Sequence, residues 1–128
     1  SDAVSFVGAQ DNVLPYLQKA SVYLHTSLYE GYGIALAEAK TVGIPSVIYA
    51  LPYLTLVQDE SVIQVGQGNR SAAASAICGL WQNPEKMKQL GDIAFNSMVG
   101  MSNYDFARCG EEYSIHWVPQ LPLVPMMM

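Results

Sequence analysis

His25-Thr26-Ser27-Leu28-Tyr29-Glu30-Gly31-Tyr32-Gly33-Ile34-Ala35-Leu36-Ala37-Glu38-Ala39 is the stretch on which the fold turns. It follows Ser21-Val22-Tyr23-Leu24, whose β-branched and aromatic side chains suit a pleated surface, so it opens at the carboxyl end of a strand. Gly31 and Gly33 then let the backbone enter a helix sharply, and that helix is predicted over residues 33–42. Gly43 stops it and Pro45 reinforces the stop. Ser46-Val47-Ile48-Tyr49 reads as the next strand. Strand, loop, helix and strand in that order imply parallel pairing through a right-handed crossover, and hence a Rossmann-like sheet.

Outward from this unit the same alternation continues. Val4-Ser5-Phe6-Val7 reads as a strand ending at Gly8. Asp11 or Asn12 caps a helix through Val13, Leu14, Tyr16 and Leu17, with Pro15 tolerated in its first turn. Pro52-Tyr53-Leu54-Thr55-Leu56 is a loop with a short helical turn, and Val62-Ile63-Gln64-Val65 the last of four expected strands. The remainder is helical. Ala73, Ala76, Ile77 and Leu80 recur at helical spacing within residues 72–81, and Asn83-Pro84 caps a helix carrying Met87, Leu90, Ala94 and Met98. Ser102 with Asp105 resembles a capping box, and Phe106, Cys109, Tyr113 and Trp117 share one stripe. The expected class is α/β, a parallel sheet with flanking helices in one domain over residues 1–118, followed by a proline-bearing tail at 119–128. Four strands are few for a doubly wound sheet, which points to a strand-bearing part upstream.

Composition sets limits on function. With 128 residues, 51% apolar and 13% charged, the chain has material for one buried core and is not a disordered tail. Its net charge is −5, and Lys19, Lys40, Arg70, Lys86, Lys88 and Arg108 are scattered, so no basic stripe exists to neutralise nucleic acid. Cys78 and Cys109 lack metal-ligand spacing and read as small core residues of a reducing compartment. The sequence lacks both a signal pattern and an apolar run of the ~18 residues that span a bilayer, and the protein is read as cytoplasmic.

Open α/β sheets bind ligands at the carboxyl ends of their strands, where the quoted stretch begins. The amides from Gly31 to Ile34 point out of a helix N-terminus, a ready anion site for which phosphate is the natural occupant. Glycine at a loop–helix junction also serves plain turns. Glu38 is the odd residue, because Ile34, Ala35, Thr41 and Val42, its neighbours three and four positions away, are mostly apolar. A carboxylate there needs hydrogen-bond partners. Either a vicinal diol such as a ribose supplies them, or the side chain reaches solvent and surface groups on the Lys40 side. Glu30 is a loop carboxylate that, with Glu38, flanks the phosphate site. His25 near the strand end reads as a packed or hydrogen-bonded histidine, and His116 as a helix C-terminal dipole partner.

Glu30-Gly31-Tyr32-Gly33, then Glu38-Ala39 with seven residues between the glutamates, then Gly43-Ile44-Pro45, resembles the signature of retaining GT-B glycosyltransferases of family four. The likeness extends over most of residues 4–117. It implies a truncated GT-B C-terminal, donor-binding domain. In it Glu30 would be the catalytic-site acid on the donor sugar, Gly31, Tyr32, Gly33 and Ile34 would offer amides to the diphosphate, Glu38 would hold the ribose, and Gly8 would lie near the base. The resemblance implies a UDP- or GDP-sugar as substrate, with no cofactor and no metal. It also implies a carbohydrate or lipid-linked acceptor bound by an N-terminal domain outside this sequence, and a parent enzyme peripheral at the inner membrane face. Two departures stand out. The Arg and Lys that relatives place upstream against the diphosphate are not in these residues, which predicts a fragment inactive alone. The stretch Tyr49-Ala50-Leu51-Pro52-Tyr53-Leu54 replaces a glycine-rich turn and resembles members that build bacterial surface polysaccharides. An unpaired sheet edge would favour a homodimer. The alternatives are a non-catalytic binding or assembly module of the same fold, and a GT-B relative such as an epimerase or phosphorylase.

Overall fold

A computed structural model of the protein describes residues 3–99. Its elements are α1 (Leu14–Lys19), β1 (Tyr23–His25), α2 (Ile34–Thr41), β2 (Ser46–Tyr49), a 3₁₀ turn (Thr55–Val57), β3 (Val62–Val65), α3 (Arg70–Trp81) and α4 (Pro84–Val99). The strands form a parallel sheet in the order β1-β2-β3, with Leu24 opposite Val47 and Val47 opposite Ile63. The α/β class and the flanking helices follow the sequence expectation.

The expected strand count does not hold, because the described residues form three strands and not four. Residues 4–7 run as unpaired chain, with Phe6 97% exposed. Their strand-favouring side chains cannot form a ladder without a neighbour, and β1 offers an edge of only three residues.

Alternation along β2 divides the core into two layers. Ile48 packs with Leu17, Leu36, Ala39, Val42 and Met98 beneath α1, α2 and the end of α4. Val47 points the other way, into Val22, Ala73, Leu80 and Leu90 beneath α3 and the start of α4. Because β2 is covered on both faces, all four of its residues are buried. α4 crosses from one layer to the other and rests on the turn after α2. A side chain at Gly91 would drive its Cβ into the carbonyl oxygen of Gly43, so the backbones meet at those two glycines.

Local signals fix the helix ends. Asn12 Oδ1 accepts from the Leu14 amide at 3.0 Å just before α1, whose N-cap residue is Val13. Asn69 and Asn83 likewise accept from Ala72 and Lys86 at the starts of α3 and α4. Gly43 leaves α2 with φ +77.

Two placements differ from expectation. Cys78 is exposed on α3, not in the core, because it lies off the stripe that Ala73 and Leu80 bury. Lys40 is buried at 2% exposure, not a surface group. Cys109, the capping box and stripe of residues 102–117, His116 and the tail at 119–128 lie outside the described residues. Among the described residues no helix is long and apolar enough to cross a membrane.

Candidate functional site

The site assembles where β1 gives way to α2. Gly33 is the residue before the helix, buried, with φ +91, a conformation side-chain-bearing residues adopt only with strain. A Cβ there would touch Leu54 and Leu56 at 3.6 Å, so the 3₁₀ segment supports this turn from below. No side chain caps α2. The first-turn amides of a helix lack intrahelical acceptors, and at α2 they belong to Ile34 and its successors. Gly31 is exposed with open space where a Cβ would stand, and Tyr32 packs partly buried against the core. Ile34 is the first helical residue. Gly8 lies in the exposed leading segment with φ +69 and open space around it.

Glu30 is fixed at both its backbone and its carboxylate. Its amide donates to the Tyr53 hydroxyl at 2.9 Å. Its Oε1 lies 2.8 Å from His25 Nε2, and His25 Nδ1 lies 2.8 Å from the Tyr23 hydroxyl. The chain of contacts runs from the buried Tyr23 to a Glu30 side chain that is 28% exposed. Tyr53 also stacks on Tyr29 with ring centroids 6.0 Å apart, and both rings face solvent beside Glu30. Gln67 ties the floor together, its amide donating to the carbonyls of Leu28 and Ala50 at 3.1 and 3.2 Å.

Glu38 is half-buried on α2, and burial pushes its carboxyl above the ordinary value. Among the described residues no hydrogen bond or ion pair reaches that carboxylate. Lys40 does not serve it, because Lys40 Nζ donates to the Leu56 carbonyl at 2.8 Å and pairs with Asp59. The two glutamates converge on Tyr23. Burial, then the charges of Glu30 and Glu38, push the Tyr23 hydroxyl up to about 12, which places both carboxylates within electrostatic reach of one phenol. Glu30 stands in the loop before the uncapped N-terminus of α2, and Glu38 on the second turn of that helix. Such a set can accept from hydroxyls on either side of an anion held by amides.

A family model described as "Glycosyl transferases group 1" matches residues 1–97. The chain belongs to the group 1 glycosyltransferases. No curated protein and no solved structure gives a significant match.

For a group 1 glycosyltransferase the sequence points to Glu30, Gly31, Tyr32, Gly33, Ile34 and Glu38, and the structure brings these into one loop–helix unit. Gly8 is not drawn into any of the contacts described. Sequence reasoning passed over Tyr23, Tyr53 and Lys40. Tyr23 and Tyr53 gave no local signal, since their partners are found only in the fold. Lys40 did give one: it falls three and four residues after Ala37 and Leu36, on the side of α2 that is buried.

Proposed function

We propose that this chain is the donor-binding part of a retaining glycosyltransferase that takes a UDP- or GDP-sugar. The sugar passes to a carbohydrate or lipid-linked acceptor, and the departure at residues 49–54 supports surface-polysaccharide synthesis as its setting. The observation that carries the reading is Glu38, a half-buried carboxylate without a partner among the described residues, on the second turn of the helix that Glu30 precedes.

In this reading the ribose diol donates two hydrogen bonds to Glu38, which supplies what burial has withdrawn. The diphosphate lies on the amides of residues 31–34, where the helix dipole favours negative charge. Glu30 keeps Oε1 on His25 and offers Oε2 to the sugar hydroxyls. During transfer the bond from the anomeric carbon to the diphosphate oxygen breaks, and its electron pair leaves with the diphosphate. The acceptor oxygen forms the new bond and gives up its proton to the departing diphosphate oxygen. Amides already aimed at the leaving group stabilise the charge it gains without having to reorganise.

The test is a titration with UDP, GDP, UDP-glucose and GDP-mannose, followed by backbone amide shifts. Shifts are expected at residues 30–38 and are expected to vanish in Glu38→Gln. Nucleotide binding that survives Glu38→Gln unchanged would leave a non-catalytic module of the same fold as the better reading.

A further inference from the structure

The donor reading gives Glu30 a task but leaves His25 and Tyr23 without one, although they form a continuous hydrogen-bonded line to its carboxylate. We propose that Tyr23, acting through His25, is a positioning residue that fixes one oxygen of Glu30 and presents the other to the donor sugar.

The argument is one of donors and acceptors. An ionised carboxylate only accepts, so at 2.8 Å from Glu30 Oε1 the His25 Nε2 must carry a proton. In the neutral imidazole Nδ1 then carries a lone pair and must accept. The atom facing it at 2.8 Å is the Tyr23 hydroxyl, a donor. Burial and the two neighbouring carboxylates keep that phenol protonated throughout the physiological range. Each bond thus settles the direction of the next, and the imidazole has one tautomer that satisfies both. Tyr23 is buried at the base of this line and His25 side-chain exposure is 12%, so water is a poor substitute for either partner. The ring planes of Tyr23 and His25 are inclined by 34° with centroids 5.6 Å apart, so the two rings also pack on each other.

The consequence for recognition is specific. Glu30 faces the sugar, whereas the amides and Glu38 face the diphosphate and ribose. Loss of the line should therefore weaken recognition of the sugar and leave the bare nucleotide unaffected. This inference rests on the donor reading for its binding arm only, since the tautomer is a property of the unliganded chain.

The experiment has two parts. Imidazole proton–nitrogen correlations are recorded on histidine-labelled protein above the range where histidine ordinarily protonates, with the His116→Gln variant used for assignment. The expected spectrum has the His25 proton on Nε2 in both proteins, held there by Glu30, with the Nδ1 resonance displaced in Tyr23→Phe, where its hydroxyl donor is gone. A proton on Nδ1, or a spectrum unmoved by Tyr23→Phe, overturns the proposal. UDP-glucose and GDP-mannose are then each compared with UDP and GDP. Tyr23→Phe should weaken the sugar nucleotide roughly three- to tenfold, the loss of about one hydrogen bond, with the bare diphosphate unchanged. His25→Gln, whose amide can still donate to Glu30, should retain more of this selectivity than His25→Leu. Equal weakening of sugar nucleotide and diphosphate marks a merely structural role and overturns the inference. If none of these probes binds the wild type, the donor reading fails, and the imidazole spectrum still decides the relay.

Discussion

Glu38 and Lys40 stand two residues apart on the same helix and meet opposite fates. Successive helical side chains step by about 100°, so two positions apart they face nearly opposite directions. Lys40 is sealed at 2% exposure between the Leu56 carbonyl and Asp59, and Asp59 is itself held by Ser61. Glu38 is half-buried and has no such partner among the described residues. One face of α2 has every charge answered, and the other withholds the answer. The first pattern is what a structural lock requires. The second is tolerated where a ligand completes the set.

Removing the counter-ion of Lys40 is the strongest way to break this contrast. Asp59→Ala strands a buried ammonium and should cost about 3 kcal/mol in urea unfolding at neutral pH. The double variant Lys40→Met with Asp59→Ala removes both charges and should recover most of that loss. A single-variant cost below about 1 kcal/mol would mean that water reaches Lys40, and the two faces would then differ less than described.

A smaller effect is expected at the far end of the same helix. Gly91→Ala forces a methyl group into the Gly43 carbonyl and should destabilise by about 1–3 kcal/mol as α4 moves away from α2. Thermal unfolding checks this. Nucleotide binding should change little at temperatures where the variant stays folded, because neither glycine lies near residues 30–38 in the contacts described. Loss of binding without loss of stability would show that the packed end and the open end are not separable.

Local patterns carried the part of this comparison that was legible in sequence. Gly33 and Gly43 bracket α2 as their conformations require, and residues 46–49 and 62–65 are strands as read. Glu38 stood out because its helical neighbours are apolar. Contacts between distant segments were not legible. Asp59 lies 19 positions after Lys40, and Tyr53 lies 23 positions after Glu30. Nothing in the local pattern marks either as a partner. Residues 4–7 failed in the opposite sense: their side chains suit a strand, but a strand exists only where another backbone answers its amides and carbonyls.

The subtlest expected effect runs against the usual direction of a site mutation. Burial raises the Glu38 carboxyl above 4.5, so between that value and its folded-state value the native state holds more protons than the unfolded one. Stability therefore falls as pH rises through this window, and the cost persists at neutral pH. Asp59 behaves oppositely. Burial acts to raise its carboxyl, but hydrogen bonds from Lys40 and Ser61 and the Lys40 charge outweigh it and hold the group below 3.8. Its contribution is present above that value and is lost as pH falls through the folded-state value. The two windows lie on opposite sides of pH 4. Glu38→Gln should accordingly stabilise the unliganded protein by about 0.5–1 kcal/mol at neutral pH, with the gain shrinking as pH falls toward 4.5. Urea unfolding across pH, compared with the wild type, measures it. A substitution that strengthens the fold while abolishing nucleotide binding is what a carboxylate kept for a ligand, with no partner among the described residues, predicts. A Glu38→Gln protein less stable than the wild type would instead show that Glu38 belongs with Lys40, as one more answered charge.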